Sequence, residues 1–264
     1  KAKQICSVLR RESIMILDQF SLKGKVAIVT GSNTGLGQGI SRAFVEAGAK
    51  VVGVSRRPST ETKEMLGDDF HNIIADLSTC DVIPQVVEGT LAQFGRVDIL
   101  VNNAGIIKRQ DSIEFSEENW DSVIAVNLKT VFFLTQAVAK QFIKQGSGGK
   151  IINIASMLSY QGGIRVPSYT ASKSAIRGIT MTLSNEWAKY GINVNAIAPG
   201  YMATNNTQQL RQNEERSADI LARIPAGRWG TPADLEGAAV FLASSASDYV
   251  NGFTLAVDGG WLGR

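Results

Sequence analysis

The 264 residues of this chain are 44% hydrophobic and 19% charged, which is enough apolar material to bury the core of one large domain. The 27 basic and 24 acidic residues give a formal net charge of +3, with no long run of one sign. This balance argues against a nucleic-acid partner and against attraction to a membrane surface.

The amino-terminal segment and the cysteines narrow the class of protein further. Cys6 and Cys80 lie far apart and outside any CxxC motif, so we expect no disulfide framework, no metal and a cytoplasmic location. We expect no apolar run to approach the roughly 20 residues that span a bilayer, and we therefore predict neither a signal peptide nor a membrane anchor. Strand-like patterning starts after residue 20, and Met15 would be a natural initiator. We therefore expect residues 1–14 to be a disordered or cloning-derived extension ahead of a domain at 15–264.

From Lys25 onward, short β-branched runs alternate with helical patterns. The runs that predict strands are 26–30, 50–55, 71–76, 97–102, 150–155, 192–198 and 253–258. They are apolar at consecutive positions, which is typical of parallel strands covered by helices on both faces. The sequence therefore predicts an α/β fold, a single-domain doubly wound parallel sheet of about seven strands.

Two helices carry clear end signals. The pattern over 35–48 starts in glycine and closes at Gly48. The pattern over 116–146 begins with a Ser-x-x-Asn cap and ends at a glycine, which predicts one long helix.

A glycine-rich loop follows the first strand, in the stretch "TGSNTGLG". Gly31, Gly35 and Gly37 permit a sharp turn and allow the amino end of a helix to face a phosphate. An ordinary tight turn would use the same residues. The position between a strand and a helix in the first βαβ unit favours dinucleotide binding.

Residues at the ends of the second and third strands are expected to contact the adenosine half of such a ligand. An Asp at the second tip would repel a 2′-phosphate, but this chain has Ser55 followed by Arg56 and Arg57, which makes NADP admissible. Both arginines could equally be solvated loop residues. After the third strand, Asp76 and Leu77 are placed to contact an adenine amino group, unless they form only a turn.

Residues after the fourth and fifth strands are expected to lie near the end of the dinucleotide at which the reaction occurs. Residues 102–105, "NNAG", form a compact loop that would lie against a cofactor. Ser156 ends the fifth strand, and Tyr169 and Lys173 stand one helical turn apart, on one helix face. A tyrosine titrates near ~10, so as a base it needs a nearby positive charge, which Lys173 would supply. The Tyr–Lys pair alone is typical of a surface; with Ser156 and the glycine loop it predicts a hydride-transfer site.

These motifs, with Asn127 and "APG" at 198–200, resemble the short-chain dehydrogenase/reductase family over residues 22–264. The resemblance implies a Rossmann fold, a nicotinamide cofactor and commonly a homotetramer. It implies that Tyr169 is the acid/base and that Lys173 lowers its pKa and binds the nicotinamide ribose. It implies further that Ser156 bonds the reacting oxygen and that Asn127 holds a water of the proton relay.

The resemblance also implies a set of cofactor contacts. NAD is favoured by the resemblance, and NADP stays possible because of the residues at the second strand tip. The expected contacts are Gly31, Asn33, Thr34, Gly35, Leu36, Gly37, Ser55, Arg56, Asp76, Leu77, Asn103, Ala104, Gly105, Tyr169, Lys173, Pro199, Gly200, Met202 and Thr204.

Longer stretches, at 103–121, 153–173, 195–211 and 223–261, resemble the branch of the family that acts on deoxy-hexonates in hexuronate or pectin breakdown. This implies hydride transfer between the cofactor and a secondary alcohol or ketone of a sugar acid. The alternatives are a gluconate 5-dehydrogenase or another sugar or ketone reductase of the family. A non-catalytic dinucleotide sensor is the alternative from a different class.

A sugar acid needs recognition of its carboxylate, for which the planar fork of arginine is suited. Arg109 and Arg165 are the candidates, beside Ser156 and Tyr169 at the reacting carbon, although either arginine could be a solvated charge. The polar segment 201–229 follows the sixth strand, and we predict that it forms a lid over substrate.

Overall fold

A computed structural model describes residues 15–264, so the expectation for residues 1–14 lies outside the described residues. Seven parallel strands form one sheet, in the order β3-β2-β1-β4-β5-β6-β7. The strands are β1 (Val26–Thr30), β2 (Lys50–Ser55), β3 (Phe70–Ile74), β4 (Ile99–Asn102), β5 (Gly149–Ile154), β6 (Ile192–Pro199) and β7 (Thr254–Val257). The predicted doubly wound parallel sheet is confirmed.

The predicted strand ends differ by up to two residues: β3 ends two residues before its apolar run does, and β4 begins two residues later than its run. Asp98 causes the difference at β4, because its Oδ2 accepts a hydrogen bond from the backbone N–H of Val26 at 2.9 Å. The carboxylate is itself held by the guanidinium of Arg96, at 2.6–2.8 Å. A side chain therefore occupies the edge of the ladder, and residue pairing between β1 and β4 starts at Ile99.

Helices cover both faces of the sheet. They are α1 (Gly35–Glu46), α2 (Thr60–Leu66), α3 (Ile83–Phe94), α4 (Glu117–Ile124), α5 (Thr130–Gln145), α6 (Pro167–Trp187), α7 (Gln208–Gln212), α8 (Glu214–Arg223) and α9 (Ala233–Ala243). On one face α1 and α9 pack against β1 through Phe44 and Leu235. On the other, α3, α5 and α6 bury Val86, Leu134 and Leu183. Alternate residues of each strand thus enter two separate cores, which explains the uninterrupted apolar runs.

The single helix predicted over 116–146 is present as one continuous run, Glu117–Gln145, but its interior is not α-helical throughout. Its ends are as predicted: the Asn119 N–H donates to Ser116 Oγ at 3.2 Å, and Gly146 closes the helix with φ 67°. Between α4 and α5, however, the chain makes a π-helical turn at Ala125–Lys129. Such a turn inserts an extra residue without breaking the helix, and turns of this kind are frequent at functional sites.

The helical run Glu117–Gln145 is long and apolar enough to cross a membrane by length and composition, which corrects the expectation that no stretch would be. Of its most apolar window, 44% is buried inside the fold. Because α5 packs on the sheet through Leu134, Val138 and Phe142, it has the character of a core helix, and core helices meet the same criterion.

The strand order reverses between β1 and β4, so a crevice opens beyond their carboxyl ends. Hydrogen bonds connect the ends of β1 and β4 there. Thr30 Oγ1 accepts hydrogen bonds from the backbone N–H groups of Asn103, at 3.0 Å, and Ala104, at 2.9 Å. The Asn103 side chain donates in return to the carbonyl of Thr30 at 2.9 Å. This network fixes the loop after β4 against the glycine loop after β1.

Candidate active site

A groove of about 270 Å³ lies along the carboxyl ends of the central strands. Most of the residues expected to contact a cofactor line it. They are Gly31, Asn33, Thr34, Gly35, Leu36, Asn103, Ala104, Gly105, Tyr169, Lys173, Pro199, Gly200, Met202 and Thr204. The groove therefore joins the glycine loop to the tyrosine and lysine that the sequence singled out.

A second cavity, of about 140 Å³, shares Gly31 and Asn33 with this groove and extends it toward β2 and β3. Ser55 and Arg56 line one side of it. Asp76 and Leu77 line the same cavity, at the carboxyl end of β3. The two cavities together form an elongated site from the tip of β2 to the tip of β5, the shape that a dinucleotide requires.

The glycine loop fits a pyrophosphate. A Cβ atom at Gly37 would lie 2.2 Å from the carbonyl oxygen of Gly31 and 2.5 Å from Asn103 Nδ2, so only glycine packs there. Gly37 therefore packs against the side of the glycine loop that faces away from the groove, and it does not line the groove. Gly31 has φ 69° and Gly35 has φ 60°, values that favour glycine. Thr34 gives no side-chain cap to α1, so the first-turn N–H groups remain free for an anion.

The tip of β2 carries hydroxyl and guanidinium groups where many dinucleotide sites carry a carboxylate. The Ser55 hydroxyl is already engaged: it donates to the carbonyl of Arg57 at 2.7 Å and lies 3.0 Å from the hydroxyl of Ser59. Arg56 lines the cavity and forms no ion pair with any residue of the described range 15–264. Arg57 does not line the cavity.

The structure brings Ser156, Tyr169 and Lys173 to the same groove. Ser156 follows β5, and its Oγ accepts a hydrogen bond from the N–H of Leu158 at 3.1 Å. Tyr169 and Lys173 stand on successive turns at the start of α6, with the lysine Nζ 5.6 Å from the centre of the tyrosine ring. Lys173 is buried, and its ammonium donates to the carbonyl of Ile154 at 2.5 Å.

Burial dominates the electrostatics of the phenol and of the lysine. It raises the pKa of Tyr169, while the Ser156 hydroxyl and the Arg109 guanidinium act in the opposite direction. Burial lowers the pKa of Lys173 to about 8, because the charged ammonium is poorly solvated. The expected role of Lys173 in lowering the pKa of Tyr169 stays a prediction.

The depressed pKa of Lys173 predicts a pH-dependent stability. Between about pH 8 and the ordinary lysine value of 10.5, the unfolded chain holds a proton at this position that the folded protein has lost. The free energy of unfolding should therefore rise with pH across this window, relative to a Lys173→Met variant. Denaturant titrations of both proteins at pH 7.5, 8.5 and 9.5 measure the difference. A constant difference across that range would contradict the shifted pKa.

Asn127 lies inside the π-helical turn and is buried. Its Oδ1 accepts from the N–H of Ile106 at 2.8 Å, and its Nδ2 donates to the carbonyl of the same residue at 2.9 Å. Nδ2 also lies 3.3 Å from Ser172 Oγ. The side chain therefore clamps the loop after β4 to α6, and the expected role in holding a water stays a prediction.

A third cavity, of about 400 Å³, opens from the groove at Ser156, Tyr169 and Gly200 and extends under α8. We call it the substrate pocket. Arg109 lines it, and its Nη2 donates to the carbonyl of Asn206 at 3.0 Å. The reacting end of the site thus continues into a space large enough for a small substrate.

Arg165 is not placed where the sequence analysis expected it. Its backbone has φ 63°, the left-handed conformation, and its Nε lies 2.8 Å from Asp111 Oδ1. The neighbours Ile164 and Val166 line the pocket and Arg165 does not. The turn directs this side chain to the surface carboxylate, so in this structure Arg165 is not a substrate contact.

Sequence reasoning missed Arg216, Arg223 and Trp261, all of which line the substrate pocket. Residues 216, 219, 220 and 223 follow helical spacing, so α8 presents them on one face. A helical projection of this part of the predicted lid segment would have shown both arginines on one face of the helix. The segment does lie over the pocket, while its movement remains a prediction.

The assembled groups can do acid–base chemistry at a carbon–oxygen bond next to a dinucleotide. A phenol, a hydroxyl and an arginine converge where the groove meets the substrate pocket. These side chains transfer protons and form hydrogen bonds. Within residues 15–264, no group of three or more His, Cys, Asp or Glu side chains could hold a metal ion.

Known proteins are similar to this chain in sequence and in fold. Residues 25–215 match the short chain dehydrogenase family. The 2-dehydro-3-deoxy-D-gluconate 5-dehydrogenase of Dickeya dadantii is 66% identical over 95% of this chain and 100% of its own. A protein described as a 2-deoxy-D-gluconate 3-dehydrogenase from Agrobacterium tumefaciens, crystallised with NADP, is 54% identical, with a TM-score of 0.88 over 93% of this chain and 99% of its own.

A protein described as an NAD(P)-dependent gluconate 5-dehydrogenase from Beutenbergia cavernae, also with NADP, is 46% identical. Its TM-score is 0.89 over 93% of this chain and 100% of its own. These findings confirm the resemblance read from the motifs and the expected nicotinamide cofactor. The chain belongs to the short-chain dehydrogenase/reductase family and is an NAD(P)-dependent oxidoreductase acting on CH–OH groups.

Proposed function

We propose that this enzyme transfers hydride between a nicotinamide cofactor and a secondary alcohol or ketone of a deoxy-hexonate, of the 2-dehydro-3-deoxy-D-gluconate type. The observation that carries the proposal is the charge of the substrate pocket. Arg109, Arg216 and Arg223 line it, against one carboxylate, Asp219. A pocket with this balance suits a small anion. The names of the most similar relatives support the same substrate class.

The residues of the chain supply the proton chemistry. When bound, the nicotinamide provides the hydride acceptor or donor. In the oxidative direction Tyr169 takes the hydroxyl proton of the substrate, and Ser156 bonds the reacting oxygen. Arg109 stabilises the phenolate form because it lowers the pKa of that phenol. Lys173, whose ammonium donates to the carbonyl of Ile154, binds the nicotinamide ribose in this proposal.

A panel assay tests the proposed function. The purified enzyme is offered 2-dehydro-3-deoxy-D-gluconate, gluconate, 5-ketogluconate and a neutral sugar alcohol, each with NAD and with NADP in the appropriate redox state. We expect the highest kcat/KM with the deoxy-hexonate. Equal or better turnover of the neutral sugar alcohol would overturn the assignment to sugar acids. A Tyr169→Phe preparation serves as the control for contaminating activity.

A gluconate 5-dehydrogenase is the second candidate, favoured by the similarity to the Beutenbergia cavernae protein. The same panel separates the two, because that activity would give the highest kcat/KM with gluconate or its 5-keto form. A non-catalytic dinucleotide sensor fits less well. Such a protein has no need for a phenol, a hydroxyl and a buried lysine at the end of its groove.

Cofactor preference should depend on Arg56. The family resemblance favoured NAD, whereas the tip of β2 lacks a carboxylate and offers this guanidinium. We expect Arg56→Ala to raise KM for NADP about tenfold, since a charge-assisted hydrogen bond contributes about 1.5–3 kcal/mol. KM for NAD should change little. Initial rates with both cofactors measure this, and Arg57→Ala, outside the cavity, is the matched control.

We propose further that residues 15–264 act as one domain in a cytoplasmic homotetramer. Partly exposed apolar side chains support self-association: Phe133, Met181 and Phe253 are 41%, 43% and 57% exposed. Light scattering coupled to size-exclusion chromatography tests the assembly. A monomer at micromolar concentration would contradict it.

A further inference from the structure

The substrate pocket holds one arginine whose position is fixed by an aromatic ring. The guanidinium carbon of Arg223, at the end of α8, lies 4.1 Å from the centre of the Trp261 ring. Both residues line the pocket. Stacking covers one face of the guanidinium and leaves its N–H edge available, and that edge is what binds a carboxylate in two parallel hydrogen bonds.

Trp261 is itself held rigidly. The ring is 4% exposed, and its Nε1 donates to Gln161 Oε1 at 3.1 Å. The edge of Tyr201 packs on it, with ring centres 4.8 Å apart. The turn that carries the tryptophan is closed by Asp258, whose carboxylate accepts from the N–H groups of Gly260 and Leu262, each at 2.9 Å. The ring therefore orients Arg223 before any ligand arrives, which reduces the entropy lost on binding.

The guanidinium of Arg223 has no carboxylate partner in the structure. No ion pair within 4.0 Å involves it among residues 15–264. Asp219, one helical turn earlier, is the single acidic residue that lines the pocket, and it forms no ion pair either. An oriented guanidinium that lines a cavity and forms no ion pair with a described residue is available to bind an anion.

The reacting end and Arg223 occupy different parts of the pocket. Ser156 and Tyr169 line both the groove and the pocket, whereas Arg223 and Trp261 line the pocket alone. Arg109 also lowers the pKa of the Tyr169 phenol, and Arg223 is not among the groups that affect it. A carboxylate on Arg109 would therefore adjoin the carbon that reacts. A carboxylate on Arg223 would lie further along the pocket, with several carbon–carbon bonds between it and the reacting carbon.

We propose that Arg223, oriented by Trp261, binds the substrate carboxylate at the end of the pocket remote from Tyr169. The inference rests on the proposed function and refines it. It selects linear hydroxy or keto acids that react several carbons away from C1, and it disfavours reaction at C2 of such acids and the binding of neutral sugars. Arg223 contacts substrate in this proposal, while Trp261 is a positioning residue that acts through it.

The test compares Arg223→Gln, Trp261→Phe and Trp261→Leu with wild type. For 2-dehydro-3-deoxy-D-gluconate we expect Arg223→Gln to raise KM by about 10–100-fold with a small change in kcat. Trp261→Phe keeps a stacking ring and should resemble wild type. Trp261→Leu should shift KM in the direction of Arg223→Gln. KM for a neutral sugar alcohol should stay the same in every variant that turns it over.

Arg264→Gln is the matched control, because it removes the same charge from a residue that bonds α8 at the Ala222 carbonyl, 3.2 Å away, without lining the pocket. Equal increases in KM for Arg223→Gln and Arg264→Gln would overturn the proposal, and so would equal increases for the acid and the neutral sugar. Cofactor affinity, measured by fluorescence titration, reports whether each variant is folded.

A binding measurement separates failure of this inference from failure of the proposed function. Calorimetric titration of gluconate, as a linear hydroxy acid, into wild type and Arg223→Gln needs no turnover. If wild type leaves the deoxy-hexonate unreacted but binds gluconate more tightly than Arg223→Gln does, the proposed function fails and the anion site stands. If both proteins bind gluconate equally, the anion site is overturned whatever the activity.

Discussion

Tyr169→Phe is expected to lose about 10²–10⁴-fold in kcat, the usual contribution of a positioned general acid or base. The variant deletes one oxygen and leaves the ring that lines the groove, so cofactor affinity should stay within a few-fold of wild type. Steady-state kinetics with the deoxy-hexonate gives the first quantity, and fluorescence titration of NADPH gives the second.

Tyr160→Phe is the matched control. Its hydroxyl donates to the carbonyl of Thr254 at 3.2 Å, and the residue lines neither the groove nor the substrate pocket. Its loss should change stability slightly and kcat little. Near wild-type turnover in Tyr169→Phe, with the phenylalanine confirmed by mass spectrometry, would remove Tyr169 as the acid/base and leave the proposed proton path without its central group.

The second large effect is expected at Gly37. A methyl group there would meet the Gly31 carbonyl oxygen at 2.2 Å and Asn103 Nδ2 at 2.5 Å, and both belong to loops fixed by the hydrogen bonds around Thr30. Gly37→Ala should therefore lower the free energy of unfolding by about 1–3 kcal/mol. Displacement of the loop should also weaken dinucleotide binding by at least about tenfold.

Gly237→Ala is the control for Gly37→Ala, because Gly237 lies inside α9 and a Cβ atom there meets nothing within 4 Å. That substitution should stabilise the protein by roughly 0.5–1 kcal/mol through helix propensity alone. Thermal denaturation and NADPH titration of both variants measure the contrast. Unchanged cofactor affinity in a folded Gly37→Ala protein would show that the glycine loop does not need this close approach.

The sequence predicted the sheet well because each strand is buried on both faces. In a chain where short apolar runs alternate with helical patterns, a run such as 26–30 predicts a buried parallel strand. The end of the run then gives the position of the strand tip. The tips then located the glycine loop, Ser156 and the loop after β4. Disagreement at β4 came from the carboxylate of Asp98, because hydrophobicity does not reveal that this side chain accepts the Val26 N–H at the start of the strand.

The features that sequence missed depend on three-dimensional detail. A π-helical turn has no end signal, so the stretch around Asn127 looked like continuous α-helix. Arg165 was chosen for its distance along the chain from Tyr169, yet a left-handed backbone and Asp111 draw it away. The pKa of Tyr169 depends on burial and on Arg109, which is distant in sequence, so these two influences could not be predicted from the Tyr–Lys spacing.

The π-helical turn at Ala125–Lys129 makes the catalytic frame sensitive to chain length as well as to side-chain identity. Removing a single residue from the turn would restore an ordinary α-helix, and one α-helical residue corresponds to a rotation of about 100°. The amide of Asn127 would then swing away from Ile106, to which it is bonded on both sides. A one-residue deletion in this segment should therefore reduce activity more than most point substitutions do. Relatives of the enzyme should show substitutions in the turn more often than insertions or deletions.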